Sequence, residues 1–360
     1  MVGRTKEELE SYAIVDPAMA AIAASEPLRD PLPTDPYYGD SSYAAMRAHR
    51  ATTLAEKHHL RYIPGPIPDQ VSEEDRKIPV RDGSEITARI YRPVQKPAGG
   101  SSLIVAYHEG AWSMGDLTDE ETNCRNFTRE LGAVCVNVEY RLAPEHPFPT
   151  WIEDSWDALK WVAQNATSLG ADPSLGFIVG GASAGSNISA VLTHIARDEN
   201  LSPPLTGQYL CVPAILCFTP PALVSPKYRA EYLSHPDVTT SQDAVMRMAN
   251  GAQALELIHS VLHASWADPR FVPFLYGAAK GAHRDLPPAY FQVCGADPLR
   301  DEGLIYEKIL REEAGVRTRL DLYKGFYHCF WMNWPQMDKS REFVEDTLSG
   351  VRWLLEQKKT

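Results

Sequence analysis

The segment Gly180-Gly181-Ala182-Ser183-Ala184-Gly185 follows directly on the apolar run Gly176-Phe177-Ile178-Val179. A serine between two glycines, at G-x-S-x-G and at the end of a strand-like run, is the signature of a nucleophile elbow. The chain must pass from strand to helix so abruptly that a side chain at either flanking glycine would clash. The turn lifts one hydroxyl clear of the top of a sheet. Ser186-Asn187-Ile188-Ser189-Ala190-Val191-Leu192 then reads as a helix start. Its N-terminus would direct backbone N–H groups at the reaction partner of the serine.

A serine hydroxyl is a poor nucleophile at neutral pH. It needs a base, and a third group to orient that base. The strand-like run Pro288–Gly295 is followed by Asp297, at a loop position that can point back over a sheet. A second such run, Thr318–Tyr323, leads through Lys324-Gly325-Phe326-Tyr327 to His328. Ser183, Asp297 and His328 therefore each follow a segment that can be a parallel strand, in the order that a serine elbow requires. Asp301 is a rival acid just beyond Asp297. His58 and His59 read as surface residues, and His194, on the helix after the elbow, as structural. Ser102–Tyr107 reads as a buried strand and ends in His108-Glu109-Gly110-Ala111-Trp112. Small residues there let backbone N–H groups approach a developing oxyanion, and Ala184 offers another donor.

Strand-like runs at 102–107, 133–138, 176–181, 211–218, 289–294 and 318–323 alternate with helix-like ones. Alternation of this kind predicts a mostly parallel sheet covered by helices, an α/β fold. Residues 76–93 read as a hairpin turning at Asp82-Gly83. Tyr43–Leu54 mixes small, apolar and basic residues in the manner of an amphipathic helix. Between 219 and 287 the alternation breaks, with helix-like stretches around 242–264. The aromatics Trp112, Phe326, Tyr327, Phe330, Trp331 and Trp334 read mainly as packing residues. Trp112 alone is close enough in sequence to a site element to shape substrate choice.

With 360 residues, 44% of them hydrophobic, the chain can bury the core of one large domain. A net charge of −12 and the lack of a basic block exclude nucleic acid as the expected partner. No apolar leader and no membrane-spanning run is found. The six cysteines include no C-x-x-C pair and read as free thiols of a reducing, cytoplasmic setting. Cys329, beside His328, reads as a packing residue. No cluster has metal-ligand spacing, and no cofactor is expected.

Five blocks together resemble the hormone-sensitive-lipase-like branch of the α/β-hydrolases, a family of microbial and fungal carboxylesterases. They are His108–Trp112, Tyr140-Arg141-Leu142-Ala143-Pro144-Glu145, Gly181–Gly185, Asp297–Asp301 and the His328 region. Their order and spacing match over roughly residues 75–355. The resemblance implies a core at 71–218 and 288–360, with a helical cap built from an N-terminal segment, 1–70, and an insertion, 219–287. It also implies a triad of Ser183, Asp297 and His328, with oxyanion donors at Gly110, Ala111 and Ala184. The Tyr140–Glu145 block would be a structural element behind the site. Hydrolases of this branch often dimerise, which raises a homodimer without locating an interface.

Two departures stand out. The His-Gly-Gly-Gly usual in the family is His108-Glu109-Gly110-Ala111 here, and Ala182 replaces the usual Asp or Thr. Glu109 can take a glycine's place only if the local φ/ψ suits a side chain. It is expected to point away and meet a cation or water; pointed inward, it would tune substrate choice. The leading expectation is a serine hydrolase acting on small to medium carboxylic esters. One alternative keeps the nucleophile but makes the chain an acyltransferase, lactonase or cyclase of natural-product metabolism. Another is a small-molecule binding protein with a dead site.

Overall fold

Six runs of mainly apolar residues form the parallel part of one sheet in the computed structural model, which describes residues 4–28, 40–234, 243, 257–278 and 282–357. They are β3 (Leu103–Tyr107), β4 (Val134–Glu139), β5 (Phe177–Ala182), β6 (Gly207–Cys211), β7 (Ala289–Cys294) and β8 (Thr318–Tyr323). β3, β5, β6 and β7 are buried at every residue. Burial on both faces is why they read as continuous apolar runs rather than alternating ones. The hairpin expected over 76–93 is present as β1 (Val71–Pro79) and β2 (Glu85–Pro93), turning at Asp82-Gly83, with its first strand starting earlier than expected, at Val71. The eight strands lie in the order β1-β2-β4-β3-β5-β6-β7-β8, with β1, β2 and β4 paired antiparallel and the rest parallel.

Successive strand residues point to opposite faces, and the core divides accordingly. Leu103, Val105 and Tyr107 pack with helices α5 (Thr150–Leu169) and α6 (Ala184–Asp198). Ile104 and Ala106 pack on the other face with α4 (Glu121–Leu131) and the C-terminal helix Asp338–Glu356. Phe326, Tyr327, Phe330 and Trp334 belong to that second layer, as expected of packing residues.

A larger difference from the sequence reading lies after β6. The run 211–218 is not a strand: β6 ends at Cys211, where its ladder with β5 and β7 stops. The residues after it are apolar because they are buried, and Val212, Cys217 and Phe218 have positive φ. The buried Glu302 carboxylate satisfies this segment, accepting the N–H groups of Leu216 (2.7 Å), Cys217 (3.0 Å) and Phe218 (3.2 Å). A side chain from far along the sequence thus replaces a neighbouring strand.

The N-terminal segment carries α1 (Lys6–Tyr12), α2 (Pro17–Ser25) and α3 (Asp40–Glu56). α3 contains the expected amphipathic helix. Tyr43, Met46 and Leu54 are buried along one face, and Arg50 lies in line with them. Most of the helix-like stretch 242–264 lies outside the described residues. No helix among the described residues is long and apolar enough to cross a membrane.

Candidate active site

The sharp turn predicted at Ser183 is present. Ser183 joins β5 to α6 with φ 52° and ψ −112°, a sparsely populated conformation for a residue with a side chain. The flanking glycines are dictated by space: a Cβ on Gly181 or on Gly185 would collide with the Tyr107 carbonyl of the adjacent β3. The Ser183 N–H is tied to the Cys211 carbonyl at 2.8 Å, so the end of β6 holds the turn.

His328, beyond β8, places Nε2 3.0 Å from Ser183 Oγ and Nδ1 2.7 Å from Asp297 Oδ2. Asp297, beyond β7, is itself fixed by the Leu299 N–H, which donates to Oδ1 at 2.8 Å. Asp301 does not compete for the imidazole. Its Oδ2 accepts the N–H groups of Leu233 and Ser234, and Arg300 lies on the same carboxylate. The rival acid is therefore a structural anchor. His194 is also structural, stacked on Tyr276 and bonded to the Tyr306 hydroxyl. Burial alone would make the His328 imidazole harder to protonate. Asp297, Asp243 and Glu109 outweigh that and hold it above the usual histidine value.

Asp243 was not anticipated from the sequence. Its buried carboxylate accepts the His328 backbone N–H at 2.5 Å. Nothing local marks this aspartate, because the contact spans 85 residues of chain.

The His108–Trp112 loop follows β3. Among the described residues, the N–H groups of Gly110, Ala111 and Ala184 donate to no acceptor. Ring stacking of His108 on Tyr140, at 4.2 Å, and the Tyr140 hydroxyl bonded to the His108 carbonyl fix the loop's first residue. The departures from the family pattern resolve in an unexpected way. Glu109 is not among the residues with positive φ, so it fills its glycine's place without backbone strain. The strained positions are Ala111 (φ 51°) and Trp112 (φ 58°), where a left-handed backbone costs about 1–2 kcal/mol per residue. The Trp112 ring is turned into the core against Trp151 and Phe271.

Glu109 meets a cation, as expected. Arg50 of α3 reaches its Oε1 at 2.6 Å and also grips both Asp119 oxygens, at 2.9 and 3.0 Å. Burial and the Asp119 charge push Glu109 up to about 7, against the pull of Arg50, His328 and Arg61. One turn earlier, Arg47 donates to the Ser113 carbonyl (2.8 Å), to the Ala143 carbonyl (2.6 Å) and to both Glu145 oxygens. Sequence reasoning missed both arginines. The available signal was a basic residue in line with the apolar face of α3, together with an acid at a glycine position that lacked a cation.

A family model of the alpha/beta hydrolase fold matches residues 104–332. This chain belongs to that family. It is 37% identical over 346 residues to an AB hydrolase superfamily protein of Schizosaccharomyces pombe, covering 96% of this chain and 95% of that one. It is 33% identical to the versiconal hemiacetal acetate esterase of Dothistroma septosporum, over 77% of this chain and 80% of that one. The crystal structure of vibralactone cyclase superposes with a TM-score of 0.84 at 31% identity, covering 97% of each chain. These relationships place this alpha/beta hydrolase among enzymes of the carboxylesterase type.

Proposed function

We propose that this hydrolase cleaves small to medium carboxylic esters through an acyl-enzyme on Ser183. The observation that carries the reading is the continuous hydrogen-bond line Ser183–His328–Asp297, set at a strained strand-to-helix turn. His328 Nε2 takes the Ser183 proton as Oγ attacks the ester carbonyl, and gives it to the departing alcohol. Asp297 keeps the imidazole in the tautomer that presents a lone pair to the serine. The N–H groups of Gly110, Ala111 and Ala184 receive the oxyanion, each worth about 3 kcal/mol in the transition state. Water activated by His328 then releases the acid. The esterase relative named for an acetate supports a short acyl group. The six buried free thiols support a reducing, cytoplasmic setting.

The test is hydrolysis of p-nitrophenyl esters from acetate to decanoate. Turnover of the short esters is expected, with a loss of about 10⁴-fold or more in Ser183→Ala. Turnover that survives the substitution contradicts the reading. The cyclase likeness over the full chain favours one further outcome, in which the acyl-enzyme is captured by an alcohol or an internal nucleophile in place of water. Acyl transfer to added alcohols in excess of hydrolysis would select it.

A further inference from the structure

Ala111 and Trp112 are held in a backbone conformation that neither side chain favours, in a loop that must present two N–H groups at fixed points. Such a conformation persists only where the surroundings over-determine it. The tethers are visible on both sides of the strained pair. Before it, Glu109 is gripped by Arg50; after it, the Ser113 carbonyl accepts from Arg47. Both arginines belong to α3, one helical turn apart, and both are anchored a second time: Arg50 on Asp119, and Arg47 on Ala143 and Glu145. The Glu109–Arg50 pair is largely shielded from water, with side chains 7% and 20% exposed, so solvent screens it little. The residues that depart from the family's glycine run are thus the ones the N-terminal segment grips or flanks.

Resting on the serine-esterase reading above, we infer that α3 is a clamp on the oxyanion loop, with Arg50 and Arg47 as positioning residues for the Gly110 and Ala111 N–H groups. Both arginines act through the loop segments they hold. Glu109 is the handle by which Arg50 holds the loop, and the clamp maintains the left-handed turn that a glycine at 111 would adopt unaided. Glycine at 111 should therefore make the clamp dispensable.

The test compares the full chain with Arg50→Met, and with Arg50→Met combined with Ala111→Gly, using p-nitrophenyl acetate at the pH plateau. The expected result for Arg50→Met is a kcat lower by about 10- to 100-fold, with KM within about twofold. A trifluoromethyl ketone, whose tetrahedral adduct needs the oxyanion donors, should weaken in parallel with kcat. Adding Ala111→Gly should restore most of both. A folded Arg50→Met protein with unchanged kcat overturns the clamp. So does a loss of kcat that Ala111→Gly does not repair. Should Arg50→Met fail to fold, Glu109→Ala removes both the charge and the acceptor that Arg50 holds, with α3 intact. The same kcat loss and the same repair are then expected, and an unchanged kcat overturns the inference. Ser183→Ala run beside these separates the two claims. If it abolishes turnover while the clamp variants do not matter, only the clamp fails; if it leaves turnover intact, the esterase reading fails.

Discussion

Glu109 stands at a glycine position of the family pattern that the sequence resembles, yet its backbone is relaxed; the strain sits two and three residues further on, at Ala111 and Trp112. Its charge matters through His328. The proposed reaction needs a neutral imidazole, so kcat/KM should fall on the acid side with a midpoint above the usual histidine value of about 6.5. Glu109, pushed up to about 7, is increasingly charged above neutrality and favours the protonated imidazole. Glu109→Gln removes that negative neighbour, so the acid limb of the profile should move to lower pH. A pH–rate series on both proteins checks the sign, and a shift to higher pH contradicts it. That Ser183, Asp297 and His328 could meet was legible in the sequence because each lies within a few residues of the end of a strand-like run, at one margin of an α/β sheet. Arg47, Arg50 and Asp243 were not. Their partners lie tens of residues away, and such pairings leave no local pattern.

Strands that were bounded by turn residues and buried on both faces were readable to within a residue or two. Hydrophobicity misled at 211–218, because a buried irregular segment and a buried strand share one composition. What separates them is the source of the partners for the backbone. Here three N–H groups converge on Glu302, which burial pushes up to about 7 against the pull of those donors. Glu302→Ala would leave the three donors unsatisfied inside the protein. Urea unfolding should show a loss of about 3 kcal/mol or more. A loss below about 1 kcal/mol would mean that the segment closes without the carboxylate. The amphipathic character of α3 was likewise readable, but the elements its polar residues bind were not.

At the scale of the whole molecule, the sheet separates two apolar layers, and all six cysteines are buried within the protein as free thiols. A thiol reagent such as Ellman's should therefore label none of them in the native protein and all six after denaturation. Rapid native labelling would mean that one layer opens easily. The α/β class and the parallel sheet were legible because alternation of strand and helix leaves few other arrangements. The course of the described residues between 219 and 287 was not, since loop geometry follows from packing partners rather than from period. The margin of the sheet formed by β1 has a consequence for behaviour at high concentration. Glu73, Glu74, Asp75, Arg76 and Lys77 run along it, with Glu74, Asp75 and Arg76 on exposed positions paired to Arg92, Arg89 and one another. A second copy extending the ladder there would have to accommodate that row of ions, which disfavours growth by strand addition at this border.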